Sequence, residues 1–298
     1  MEIGIGLPTT IPGAERGEVL DWARRAEARG FSTLGVIDRI IYPNWDPLVS
    51  LAVAAAVTEE IRLATTILIP PLRNTAELAK TTATIDQLSG GRLVLGLAVG
   101  ARPDDFEVAG VPMRGRGARI ERQIDELQRY WRGEKVGYAG GIGPSPVQED
   151  GPPLVLGGTS PAAIDRAARL GEGWISGGGA PDQFADAARA VLEAWEHAGR
   201  PGRPRLMTLT YFSLGPEAER DAQAYLGDYY EFLGPETAGA IARSAATTPE
   251  EVWQRMDAFQ QAGCDEVVAM PCSTDPDEVD RLADACGLER RDAAAGEA

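Results

Sequence analysis

TIDQLSGGRLVLGLAVGARPDD, residues Thr84–Asp105, holds a helix end, a tight turn and a buried strand in one stretch. Ser89-Gly90-Gly91 stops the helix, because glycine accepts the left-handed conformation that a C-terminal cap requires. RLVLGLAVG, from Arg92, is almost uninterrupted apolar sequence, bounded by glycines and too short for a core helix. Such a run predicts a strand buried on both faces, the habit of parallel sheets. At its exit the polarity changes abruptly to Ala101-Arg102-Pro103-Asp104-Asp105. A buried strand therefore delivers a bare glycine, Gly100, and then an arginine and two carboxylates to one place.

The same alternation extends in both directions. Towards the N-terminus lie the strands EIGIGLP, FSTLGVID and IRLATTILIP. They are separated by a helix over 17–29, by DPLVSLAVAAAVTE, opened by the helix-start signal Asp46-Pro47, and by TAELAKTTATIDQLS. Towards the C-terminus come the helix RIERQIDELQRYWRG, a Gly/Pro-rich connection over 137–153, and the strand PLVLGG. The helix SPAAIDRAARLG begins on Ser160-Pro161 as cap and first turn. GWISGG, RLMTLTYFSL and DEVVAMP complete eight strands, with a helical insertion over 216–246 after the seventh.

Eight strands alternating with helices over this length predict a (β/α)8 TIM barrel, an α/β fold, in one domain spanning residues 1–288. The connection over 133–153, after the fourth long helix, is expected to be a flap-like loop over the mouth or a plain surface loop. Residues 289–298, polar and Ala-rich, are expected to form a disordered tail.

Composition narrows the function. The 298 residues carry a formal net charge of −16 at pH 7 and contain 44% hydrophobic and 25% charged residues. That acidity argues against nucleic acid and anionic membrane surfaces as partners, since both require basic patches. Cys264, Cys272 and Cys286 form no CxxC pair, so neither a disulfide framework nor a zinc site is indicated. No signal peptide and no membrane-length apolar segment is read, which gives a cytoplasmic expectation. Lys80 and Lys135 are the only lysines, against many arginines, a bias that points to a GC-rich genome.

A single histidine removes whole classes of mechanism. His197 lies late in the helix AVLEAWEHAG, where an imidazole commonly caps carbonyls or faces solvent. Ser-His-Asp catalysis and multi-histidine metal sites are thereby disfavoured. No GxxxxGK[ST] loop is present to cradle an NTP.

In a barrel the chemistry sits where each strand ends. Those positions here include Asp38-Arg39, Thr66-Ile67, Gly100-Ala101-Arg102, Gly157-Gly158-Thr159-Ser160 and Ser176-Gly177. Gly100 would let a planar ligand lie against backbone, with Asp104 and Asp105 edging the mouth. Gly157, Gly158, Thr159 and Ser160 precede a helix N-terminus, where free N–H groups and the helix dipole favour a phosphate, although an ordinary capped helix start reads the same way. Asp38-Arg39 reads either as a working pair or as a structural ion pair.

The whole chain, from about Glu2 to Gly287, resembles the luciferase-like monooxygenases, flavin- or coenzyme F420-dependent barrel enzymes. The carrying residues, in order, are IGIGLP, AEARGFSTLGVID, the long stretch from Ile61 to Gly100, RIERQIDELQRYWRG, PPLVLGGTSPAAIDRAARLGEGWI and TPEEVWQRMDAFQQAGCDEVVAMP. The resemblance implies a cofactor across the C-terminal mouth. It places a bulge with a non-proline cis peptide, the support of the deazaflavin ring, at Thr66-Ile67. The cofactor phosphate falls near Gly157–Ser160, with Gly100, Arg102, Ser176 and Gly177 as further cofactor contacts.

One position departs from the family pattern. Many F420 relatives carry Asp-His after the second strand, where this chain has Asp38-Arg39. Arginine stays protonated and cannot shuttle a proton, but it can stabilise negative charge on a reduced deazaflavin, an enolate or a peroxide. Asp38, Arg39 and Asp104 are thus the catalytic candidates, with Tyr42 and Asp105 as further proton donors. The resemblance implies a homodimer and an F420-dependent hydride transfer to or from a small organic substrate. The alternatives are a reduced-FMN-dependent monooxygenase with a partner reductase, and a non-catalytic flavin-binding relative.

Overall fold

The computed structural model describes residues 1–138 and 140–289. The expected tail, beyond Glu289, lies outside the described residues. Eight parallel strands close into a barrel in the order β1 to β8: Glu2–Gly6, Thr33–Val36, Arg62–Leu68, Leu93–Leu97, Leu154–Gly157, Gly173–Ser176, Arg205–Phe212 and Glu266–Pro271. The helices are α1 Arg16–Ala28, α2 Pro47–Ala55, α3 Thr75–Ser89, α4 Pro103–Val108, α5 Arg116–Trp131, α6 Pro161–Leu170, α7 Pro181–His197, α8 Ala218–Tyr229, α9 Pro235–Arg243, α10 Pro249–Gln261 and α11 Asp277–Ala285.

The capping chemistry sets these boundaries. Asp46 accepts from the Leu48 and Val49 amides, both at 2.9 Å, ahead of Pro47 at the first position of α2. Ser160 receives the Ala163 amide at the start of α6, and Gly90 ends α3 at φ 66°. Each replaces a hydrogen bond that the helix end would otherwise lack.

Two apolar layers follow from strand alternation. One set of strand side chains packs outward with Trp22, Phe31, Trp174 and Phe259 between sheet and helices, all fully buried. Side chains of this size contribute roughly 2 kcal/mol each by burial. The other set, Ile175, Met207, Leu209, Tyr211, Val268 and Met270, fills the barrel interior and continues into Tyr225, Leu226 and Tyr229 of α8. The insertion after β7, read from the sequence over 216–246, is α8, a 3-10 turn at Glu231–Leu233 and α9. It packs on the mouth end of the interior layer.

The N-terminal end of the barrel is closed by charge. Glu2, Arg62, Arg205 and Glu266 each open a strand, and both arginines bond both glutamates. Glu266 also accepts from Ser32 Oγ at 2.5 Å and Thr33 Oγ1 at 2.6 Å.

The connection over 133–153 belongs to this end too. Buried Asp86, near the C-terminus of α3, accepts from the Val147 amide at 2.7 Å and the Gln148 amide at 3.1 Å. Gln148 Nε2 donates to Leu93 O, at the first residue of β4. The segment is therefore no flap over the mouth. A chain leaving the end of a helix and entering the start of a strand must lie at the face where strands begin, and this one does.

Candidate active site at the barrel mouth

The third strand decides the shape of the mouth. Pairing between β3 and β4 shifts register between Thr65 and Leu68, so residues 66 and 67 form a bulge, and the Thr66–Ile67 peptide is cis. Both neighbouring strands hold it. Thr65 Oγ1 donates to Gly96 O at 2.8 Å, Thr66 Oγ1 donates to Val36 O at 3.2 Å, and the Asp38 amide donates to Ile67 O at 3.2 Å. A Cβ at Gly96 would lie 2.1 Å from Thr65 O, so β4 needs glycine where it passes this backbone.

Asp38 and Arg39 do not pair with each other. Asp38 is buried and accepts from Arg73 Nη1 at 2.5 Å, Arg73 Nη2 at 2.7 Å and the Ile69 amide at 2.8 Å. Burial pushes its carboxyl up against the pull of Arg73. With both oxygens engaged, Asp38 braces the loop after β3; the ion pair that the sequence left open is made with Arg73 instead. Arg73 escaped the sequence reading, although its place in PPLR directly after a strand was a usable signal.

Arg39 points the other way, into the mouth. Its Nη1 donates to Tyr229 O at 2.9 Å, and its guanidinium carbon lies 4.3 Å from the Tyr42 ring centre and 4.8 Å from that of Tyr229. Burial, helped by the charge of Arg102, lowers its pKa from the usual arginine value. It nonetheless stays a cation at any working pH.

From β4, Arg102 reaches the same region. Its Nη2 bonds Asp104, and its guanidinium carbon sits 4.1 Å from the ring centre of Phe232. Although burial raises the Asp104 carboxyl, the bond and charge of Arg102 outweigh it and hold the group below the usual aspartate range. Asp105 Oδ1 accepts from the Ile40 and Ile41 amides at 3.1 and 2.8 Å, tying the loop after β2 to α4. Burial first, and then the bond to Asp228, raise the Tyr42 phenol well above its ordinary value.

Gly157, Gly158, Thr159, Ser160, Ser176 and Gly177 form a second group at the ends of β5 and β6. Gly158, Thr159 and Ser160 are exposed ahead of α6. A Cβ at Gly158 would lie 2.8 Å from the Ala163 Cβ, which keeps the backbone bare there. Ser176 Oγ donates to Gly178 O at 3.0 Å, and Gly177 lines a cavity of about 700 Å³ with Leu209, Tyr211, Tyr230 and Leu233. Between cavity and arginines runs the segment Tyr229–Leu233. Tyr230 faces the cavity and bonds the Tyr211 hydroxyl at 2.7 Å, while Tyr229 and Phe232 face Arg39. The sequence reading passed over these aromatics, whose signal was the run YYEF inside an otherwise polar insertion. His197 ends α7, its Nδ1 2.7 Å from Glu193 O, as a helix-end cap.

Comparison with known proteins agrees with this architecture. An uncharacterised protein of Mycobacterium tuberculosis is 34% identical over 217 residues, 63% of this chain and 77% of that relative. An F420-dependent secondary alcohol dehydrogenase, solved with an F420–acetone adduct, superposes with a TM-score of 0.77 at 20% identity, covering 97% of this chain and 99% of that one. The FMN-bound oxygenating constituent of 3,6-diketocamphane monooxygenase from Pseudomonas putida gives 0.72 at 18% identity, covering 98% and 100%. Identities this low speak for the fold alone. The model of the luciferase-like monooxygenases matches residues 1–279, and with the closed barrel and its bulged third strand this places the chain in that family.

Proposed function

We propose that this protein is an oxidoreductase that moves a hydride between coenzyme F420 and a small organic substrate at the barrel mouth. The observation that carries the reading is the β3 bulge at Thr66–Ile67, flanked by two strand ends that each deliver a guanidinium, Arg39 from β2 and Arg102 from β4. A flat, electron-accepting ring resting on that bulge would meet positive charge from both sides. Bound F420 would supply the hydride chemistry, at C5 of its deazaflavin.

The residues present fit such a group. Arg39 Nε and Arg102 Nε and Nη1 are buried donors with no hydrogen-bond partner, and the backbone over 157–160 is open before a helix N-terminus. Gly157, Gly158, Thr159 and Ser160 would hold the phosphate, where free amides and the helix dipole favour an anion. Gly100, Ser176 and Gly177 border the same mouth. Arg39 stabilises negative charge that develops during transfer and hands on no proton. Asp38 is saturated by Arg73, Asp104 is held ionised by Arg102, and the Tyr42 phenol is pushed up. The mouth therefore favours chemistry that builds negative charge over chemistry that needs a ready acid.

Cofactor exchange followed by gel filtration and absorbance tests this. The reading expects F420 to be retained with its own visible band. Retention of the two-band FMN spectrum would replace it with the monooxygenase reading and its partner reductase; retention of neither would make the chain a non-catalytic relative. A homodimer is proposed as well, through the face of α2 that leaves Val49 63% exposed while Leu48 and Leu51 pack on their own barrel. Sedimentation at micromolar concentration should give the dimer mass, and a monomer would end that proposal.

A further inference from the structure

We infer that Arg39 and Arg102 together form a binding site for the carboxylate of a planar organic acid, with Phe232 as its displaceable roof. This names a substrate class and rests on the reading of the mouth as the redox site. Two guanidiniums, from strands on either side of β3, converge on one flat side chain. The Phe232 ring centre lies 4.1 Å from the Arg102 guanidinium carbon and 5.9 Å from that of Arg39.

Neither arginine is satisfied by the protein. Among the described residues Arg39, 9% exposed, has no carboxylate within ion-pair distance; its one hydrogen bond goes to a backbone carbonyl, and its Nε is unpartnered. Arg102 engages Asp104 with Nη2, but its Nε and Nη1 are buried without a hydrogen bond. Asp105 Oδ2 lies 3.8 Å from that Nε, an ion pair without a hydrogen bond, while its Oδ1 takes two amides, so Nη1 is the donor of Arg102 left wholly open. Buried donors of charged groups are costly to leave unmet, and two such groups side by side call for a water, an ion or a ligand to complete them. In a chain of net charge −16, this is a local concentration of positive charge, set apart from the cavity by the segment Tyr229–Leu233.

The chemistry of the donors selects the ligand. A guanidinium fork matches two coplanar oxygens, and the space between the forks already admits a flat six-membered ring. Carboxylate and phosphate share the oxyanion chemistry. The open backbone over 157–160 offers phosphate its own cradle, which leaves the arginines for a carboxylate. Phe232 is suited to leave: it is 41% exposed, in a 3-10 turn that buries none of its residues, and Gly234 follows at φ 88°.

Calorimetric titration of the protein, alone and loaded with F420, with benzoate, benzamide and inorganic phosphate tests the inference. Benzoate should bind at least tenfold more tightly than its neutral isostere benzamide. Arg102→Gln should weaken benzoate tenfold or more and remove its preference over benzamide. Phe232→Ala removes an exposed ring, so the fold is not at stake, and should tighten benzoate about fivefold by freeing both guanidiniums. Equal binding of benzoate and benzamide would overturn the inference. So would inorganic phosphate displacing benzoate and binding more tightly, because the arginines would then serve a phosphate. An unchanged benzoate affinity in Phe232→Ala would overturn the roof. Benzoate binding without F420 binding would sink the redox reading and keep the site; F420 binding without benzoate binding would do the reverse.

Discussion

Arginines and carboxylates line both ends of the barrel, yet the two ends settle their charges in opposite ways. At the N-terminal end, the Glu266 carboxylate takes Ser32, Thr33, Arg62 and Arg205, and Glu2 closes the circuit between the two arginines. At the mouth, Arg39 lies against aromatic rings with no acid in ion-pair reach among the described residues, and Arg102 and Asp105 keep buried atoms without a hydrogen bond. A saturated network fixes strand register and leaves nothing to offer a ligand. The unsaturated one is less stable by itself and can be completed from outside. Stability and chemistry are thus divided along the barrel axis.

The division can be broken most forcefully at Arg39. Arg39→Ala should lower turnover by about two to three orders of magnitude, as loss of an electrostatic stabiliser does, with cofactor affinity nearly unchanged. Arg39→Lys keeps the charge without the planar fork and should also be impaired. A fully active, cofactor-loaded but unstable Arg39→Ala would make this arginine scaffold and erase the contrast. Steady-state kinetics beside a cofactor titration separates the outcomes.

The opposite end should answer in stability alone. Glu266→Ala leaves the Ser32 and Thr33 hydroxyls and two part-exposed arginines without their buried acceptor and should cost about 2 kcal/mol in denaturant unfolding, with the turnover of the folded fraction intact. Acidification probes the same group. Burial raises the Glu266 carboxyl, but Arg62, the Ser32 and Thr33 hydroxyls and Arg205 outweigh it, and the net shift is downward. A depressed folded pKa contributes stability that is complete above the ordinary glutamate value and lost as pH falls through the lower folded value. Glu266→Gln should therefore flatten the acid limb of the stability curve below the ordinary glutamate range, and an unchanged limb would remove Glu266 from the account.

The smallest effect belongs to the connection over 133–153. Gln148→Ala breaks bonds to Asp86 and Leu93 at the stable end and should cost about 1 kcal/mol with no change in turnover. A kinetic effect there would mean that the segment reaches the mouth after all.

How far the sequence reaches follows the same axis. The eight strands were legible because each is a short apolar run closed by glycine, proline or a polar switch, and Ser160-Pro161 and Asp46-Pro47 announce their helices locally. The bulge at Thr66–Ile67 was legible through resemblance, since the need of its neighbour Gly96 appears only when two strands are paired. What was not legible is long-range. Asp38 finds Arg73 35 residues away, and adjacent Arg39 turns to Tyr229, 190 residues away, because successive residues leaving a strand point in opposite directions. Composition alone could not say which of the two faced the ligand.

Hydrogen–deuterium exchange with and without F420 tests the division most directly. The account predicts protection on F420 binding at residues 66–69, 98–102, 157–160 and 229–233, with exchange around Glu2, Arg62, Arg205 and Glu266 unchanged. Protection centred on those four residues, or protection nowhere, would contradict it.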